Sequence, residues 1–281
     1  MQFGANTFIW VSPFTTTSVE LFPKVKTFGF DLVEISIEDT DLIDFEIVRR
    51  ALDDNQLGAI VCGAFGPERD LAHDDPAVRK NAAEYIQTLI RAAEAWNAPL
   101  VSGPMYSATG KARQAPPEQR RIEWERATSG VRKLADIAAA SNVQLALEIL
   151  NRFETDMLNT VAQGMDFIKD VGRDNVGLHL DTFHMHLEEK NSPAAIRLAG
   201  DRLFHFHACE NDRGVPGTGQ VNWNGIAQAL KDIHYNHAIV IESFTPDVKE
   251  IAGAVRIWRE IAPDQDTIAQ QGLKFLHTLM D

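Results

Sequence analysis

Three consecutive runs, "AIVCGAF" (Ala59–Phe65), "DPAVRKNAAEYIQTLIRAAEAWNA" (Asp75–Ala98) and "PLVSGPM" (Pro99–Met105), hold the key to the fold. In the middle run Val78, Tyr85, Ile86, Leu89, Ile90 and Ala93 recur at helical spacing, and the flanking runs are short and β-rich. Asn97 stands where a helix stop signal belongs, just before the second β-rich run. The unit is strand, helix, strand.

Outward from it, the same unit repeats from end to end. The further strands are expected at "QFGANTFI" (Gln2–Ile9), "LVEISIE" (Leu32–Glu38), "QLALEIL" (Gln144–Leu150), "VGLHLD" (Val176–Asp181), "LFHFHAC" (Leu203–Cys209) and "AIVIES" (Ala238–Ser243), eight in all. The first helix is expected over Ser18–Phe28, with "FGFD" turning into the second strand, and Asn142 repeats the stop signal before the fifth. No Gly-, Ser- or Pro-rich linker divides the chain, so residues 1–281 read as one domain. Eight βα units in about 250 residues suit a closed parallel (β/α)8 barrel better than a doubly wound sheet. Neither a G-x-G-x-x-G turn after the first strand nor a P-loop is present.

The composition, 44% hydrophobic and 24% charged, is that of a globular protein. A net charge of −13 opposes a nucleic-acid partner, and "QRRIEWER" (Gln119–Arg126) reads as a solvated helix face. No run approaches the roughly 18 apolar residues of a membrane span, and the N-terminus lacks the pattern of an export signal. Two distant cysteines, Cys62 and Cys209, match no zinc or disulfide framework, so reduced thiols and a cytoplasmic location are expected.

Side chains on barrel strands alternate between the helix layer and the interior. With Leu145, Leu147 and Ile149 outward, Ala146 and Glu148 point inward; with Leu178 and Leu180 outward, His179 and Asp181 do. Phe204 and Phe206 outward leave His205, His207 and Cys209 inside; Ile239 and Ile241 outward leave Val240 and Glu242 inside. Barrel active sites lie at the C-terminal strand ends, where Glu148, Asp181, His207 and Glu242 fall. His179 and His205 lie a step deeper and suit a structural or ligand-orienting role. The four residues could be unrelated interior groups, each satisfied by hydrogen bonds. Three carboxylates in one low-dielectric space, however, repel unless protons or a cation intervene. Mixed oxygen and nitrogen donors suit a divalent ion, Mn²⁺ first, with Mg²⁺ or Co²⁺ as alternatives. A ketone and its neighbouring hydroxyl on that ion would have an acidified α-proton, and Glu148 and Glu242, three strands apart, could serve as acid and base on two faces of one carbon.

"GFDLVEI", "LEILNRFETDMLNT", "VGLHLDTFHM", "FHFHACENDRGVPGTGQVNW" and "IVIESF" together resemble the D-tagatose 3-epimerase and D-allulose (D-psicose) 3-epimerase family, L-ribulose 3-epimerases included, within the xylose isomerase-like TIM barrels. The resemblance implies metal ligation by Glu148, Asp181, His207 and Glu242, with Glu148 and Glu242 also as the catalytic pair inverting C3 of a free ketose. It also implies that Glu154, His184 and Arg213 bind the O1–O3 region of the substrate, and more weakly that Phe8, Cys62 and Phe244 contact its far carbons. A homodimer or homotetramer is expected on the same ground; the amphipathic C-terminal segment, with Ile268, Leu273, Phe275, Leu276 and Leu279, could cap the barrel or meet another subunit. His186 is expected on the surface, and "RGVPGTGQVNW" as a wall of the site. The rivals are a hydroxypyruvate-type isomerase and an inosose or dehydroshikimate dehydratase with the same metal cage.

Overall fold

The computed structural model describes residues 1–281. Eight parallel strands close on themselves in sequence order: β1 (Gln2–Asn6), β2 (Leu32–Ile37), β3 (Gly58–Gly63), β4 (Leu100–Gly103), β5 (Gln144–Glu148), β6 (Val176–Asp181), β7 (Leu203–Ala208) and β8 (Ala238–Ile241). The ring around them is formed by α1 (Phe22–Phe28), α2 (Phe45–Asn55), α3 (Pro76–Ala95), α4 (Pro117–Ala140), α5 (Val161–Val171), α6 (Thr182–Glu188), α7 (Ser192–Ala199), α8 (Trp223–Asp232), α9 (Lys249–Val255) and α10 (Gln265–Met280). The expected (β/α)8 barrel is the fold.

Local chemistry sets the helix ends. Asp44, Asp75 and Thr160 cap the N-termini of α2, α3 and α5 through their side chains. Asn97 and Asn142 take positive φ of 53° and 55°, the left-handed turn that ends a helix. The first helix is shorter than the expected Ser18–Phe28: a 3₁₀ stretch covers Thr16–Leu21 and α1 begins at Phe22. Pro23 has no N–H to donate back along a helix, so it sits in the first turn. Of the two roles open to the C-terminal segment, the first holds: Ile268, Leu273 and Leu276 of α10 are buried in the core between sheet and helices, with Phe275 and Leu279 packed against it.

The interior of the barrel is apolar at its N-terminal end, where Leu32, Ile60, Leu100, Ala146, Phe204, Ala238 and Val240 form a floor. Phe204 therefore points inward, against expectation. The β6–β7 register shifts between Leu178 and His179, so that Leu178 pairs with Leu203 and His179 with His205. The bulge leaves Phe204 and His205 both on the inner side, and such an extra residue re-aims the side chains beyond it. Gly177 makes room: a Cβ there would meet the Phe204 ring at 2.5 Å. One inward step beyond the floor the lining turns polar, with Asn6, Glu34, Cys62, Ser102, Glu148, His179, His205 and Glu242.

Candidate active site

Glu148, Asp181, His207 and Glu242 converge at the C-terminal ends of β5 to β8. One ligand atom from each lies within 4.8 Å of all the others, close enough to surround a single ion. His207 Nδ1 is 3.5 Å from Glu242 Oε2 and 3.8 Å from Asp181 Oδ2. It is buried and has no hydrogen-bond partner. An orphaned buried nitrogen beside three carboxylates is a donor set that fits a divalent cation.

Electrostatics divide the carboxylates. Burial, helped by repulsion from Glu242 and opposed by His184, lifts the Glu148 carboxyl above the ordinary range. Burial acts the same way on Asp181, but the Arg213 guanidinium, together with His184, His207 and the Phe183 N–H, overrides it and holds that carboxyl low. Burial disfavours the charged His207 ring, yet Glu34 and Glu242 outweigh it and raise its pKa well above the usual value.

The proposed substrate contacts gather around this cluster. Arg213, at a positive φ of 68°, sends Nη1 to within 2.6 Å of Asp181 and 2.8 Å of Glu242. Its guanidinium stacks 4.2 Å from the Phe183 ring and 5.1 Å from that of Phe244. His184 lies not in a loop but on α6, whose first turn is capped by Asp181 through the Phe183 N–H. Its Nδ1 accepts from the Asn151 backbone N–H at 3.2 Å, and its Nε2 lies between Glu148, 3.5 Å away, and the Arg213 guanidinium, 3.2 Å away. Glu154 is half-buried and takes the Asn151 side-chain N–H at 2.7 Å. Phe8 and Phe244 pack together at 5.8 Å. Cys62 is buried on β3, in register with Ser36 and Ser102, where burial, and then the charges of Glu34, Glu148 and Glu242, push its thiol up.

His186 is exposed, as expected. The loop after β7, expected as a wall of the site, wraps around the buried Glu210, which accepts the Gly217 N–H at 2.9 Å and the Trp223 indole N–H at 2.6 Å. Glu123, in the run read as a solvated face, is buried in an ion cluster with Lys111 and Arg113.

Sequence reasoning passed over two groups. Glu34 is fully buried and contacts both His205 and His207; the phase rule would have found it, since Val33, Ile35 and Ile37 alternate with Leu32, Glu34 and Ser36. Tyr106 donates to the Glu148 carbonyl at 2.9 Å, and no spacing rule points to it.

Residues 22–279 match the family model described as xylose isomerase-like TIM barrel. The chain is 32% identical to a D-psicose 3-epimerase from Agrobacterium fabrum, over 95% of this chain and 93% of that one. It is likewise 32% identical to an L-ribulose 3-epimerase from Mesorhizobium japonicum, over 98% and 93%. A crystal structure of D-allulose 3-epimerase from Methylomonas sp. in complex with D-allulose is similar at a TM-score of 0.94 and 28% identity, over 99% of this chain and 96% of that one. The chain belongs to the ketose 3-epimerase family, isomerases built on the xylose isomerase-like barrel. No helix is long and apolar enough to cross a membrane.

Proposed function

We propose that the protein is a divalent-metal-dependent ketose 3-epimerase acting on free sugars of the D-tagatose/D-sorbose, D-fructose/D-allulose or L-ribulose/L-xylulose type. The convergence of Glu148, Asp181, His207 and Glu242 carries this reading. These four would hold the ion, Mn²⁺ first. When bound, it supplies Lewis acidity that polarises the ketone and acidifies the proton on C3.

The protein's own groups do the rest. One of Glu148 and Glu242 takes the C3 proton and the other returns one to the opposite face of the same carbon. Atoms and charge balance, because one carboxylate gains a proton and the other gives one up. Burial suits Glu148 to this, since a carboxyl lifted above its ordinary range holds a proton more readily near neutral pH. Arg213, His184 and Glu154 orient the O1–O3 end, while Phe8, Cys62 and Phe244 line the far end. An apolar and thiol lining offers few directed hydrogen bonds, which suits acceptance of both five- and six-carbon ketoses. A homodimer or homotetramer is the expected assembly, and the cytoplasm the expected location, in keeping with two free, buried thiols.

The test is incubation of D-fructose, D-tagatose and L-ribulose in deuterated water with the metal-stripped protein, with and without Mn²⁺. Deuterium at C3 together with the C3 epimer is expected only with metal. Glu148→Gln and Glu242→Gln should each lower turnover by at least a hundredfold. Label at C1 or C2 with an aldose product, or full turnover in either variant, sinks the reading.

A further inference from the structure

Glu34 stands outside the proposed cage, on β2, and is wholly buried. Its Oε1 accepts from Ser102 Oγ at 2.8 Å and lies 3.0 Å from His205 Nε2. Its Oε2 accepts from Asn6 Nδ2 at 3.0 Å and lies 2.5 Å from His207 Nε2. A carboxylate offers about four lone-pair sites, and here four donors from β1, β4 and β7 fill them. The orientation of Asn6 is itself fixed, because its Oδ1 already accepts the Phe8 N–H at 2.9 Å and the Ser36 hydroxyl at 2.8 Å. Only its amide NH₂ is left to face Glu34.

This arrangement decides which nitrogen of His207 carries a proton toward Glu34. Nε2 faces a carboxylate oxygen and must be protonated, so the nitrogen able to present a lone pair is Nδ1. That is the atom with no hydrogen-bond partner, facing Asp181 and Glu242. We propose that Glu34 is the positioning residue of the metal centre: it locks His207 with Nδ1 toward the cage and makes that nitrogen a stronger donor. The proposal rests on the reading of the four residues as a metal cage.

A purely stabilising role does not account for this geometry. A buried ion pair gains little over an apolar packing of the same volume, and the floor one step below on the same strand, at Leu32, is apolar. Nor does an amide substitute for the acid. Glutamine has one acceptor oxygen, and its NH₂ would face two of the four donors. Carboxylates behind a metal-bound histidine typically contribute 10- to 100-fold to metal affinity.

The experiment is calorimetric titration of Mn²⁺ into metal-stripped wild type, Glu34→Gln and Asp181→Asn, each checked by circular dichroism. The Mn²⁺ Kd of Glu34→Gln should rise at least tenfold, with kcat and KM for the ketose returning toward wild type once Mn²⁺ saturates. A folded Glu34→Gln with a Kd within threefold of wild type overturns the proposal if Asp181→Asn binds weakly. Unchanged binding by Asp181→Asn overturns the cage itself. Histidine ¹⁵N shifts in the Mg²⁺-loaded wild type need no variant: His207 protonated at Nε2 is expected, and protonation at Nδ1 refutes the assignment.

Discussion

Arg213→Gln tests the electrostatics of the site without removing any group proposed to move a proton. The guanidinium is buried, 2.6 Å from Asp181 and 2.8 Å from Glu242. Burial works against its charge, and Asp181, joined by Cys209, Glu242 and Glu154, outweighs the burial and holds it ionised. Taking one partner from a buried pair costs about 3–5 kcal/mol. The carboxylates could relieve themselves by taking up a proton, but at pH 7 a carboxyl of ordinary pKa near 4 does so at about 4 kcal/mol. The two routes give the same figure. For a chain of this length each kcal/mol moves Tm by about 2 °C, so metal-stripped Arg213→Gln should melt roughly 6–10 °C below wild type in a thermal scan with chelator. Mn²⁺ at about a thousand times the wild-type Kd would contribute about 4 kcal/mol to wild type and more to a variant whose carboxylates, without the guanidinium, bind it tighter, so the gap should narrow. Arg213→Lys, which keeps the charge but loses the planar stack on Phe183, should recover most of the chelated Tm. A metal-stripped Arg213→Gln that melts within about 2 °C of wild type refutes the reasoning, because the carboxylates would then coexist without that cation.

Three further substitutions test the fold and its pH response. Gly177→Ala should destabilise by about 1–3 kcal/mol in urea, because its Cβ would stand 2.5 Å from the Phe204 ring and 2.6 Å from the Arg202 carbonyl oxygen; Gly253→Ala on α9, with nothing within 4 Å, should cost nothing. Burial raises the Glu38 carboxyl against the hydrogen bonds of Ser12 and Phe14, and its Oε2 is buried without a partner. The folded state thus holds that proton more tightly than the unfolded chain, and stability is lost as pH rises through the folded pKa. Glu38→Gln should accordingly raise Tm at pH 7, with the gain vanishing below about pH 4; an equal Tm difference at both pH values would contradict it.

Most of the architecture was legible because a buried parallel barrel imposes two periods at once, 3.6 on the helices and 2 on the strands. Leu145 and Leu147 against Ala146 and Glu148 needed nothing further, and the same alternation brought Glu148, Asp181, His207 and Glu242 to one place from four separate strands. Where the rule failed, a physical event broke its premise. On β7 the register shift puts Phe204 and His205 on the same side, and no property of "LFHFHAC" announces an extra residue. The nearest signal was on the neighbouring strand: Gly177 is an inward position with no side chain, the space that Phe204 fills. The limits of the first helix come similarly from one imino acid, Pro23, that periodicity does not weigh.

Glu34 was missed for a different reason. The alternation that selects it is as regular as that of β5, but Glu34 lies short of the C-terminal strand end, where contact with a substrate is expected. A histidine that faces carboxylates through Nδ1 must do something with Nε2, and in a water-poor interior that nitrogen needs an acceptor. Once His207 is placed on the inner face, its far nitrogen calls for an acceptor, and a carboxylate is the one that most strengthens the ring as a donor. β2 supplies it at 2.5 Å, with Asn6 and Ser102 holding it from β1 and β4. The polar belt one step above the apolar floor is therefore where fold and proposed function meet, because the groups that hold Glu34 in place there also set it against the far nitrogen of the imidazole in the proposed cage.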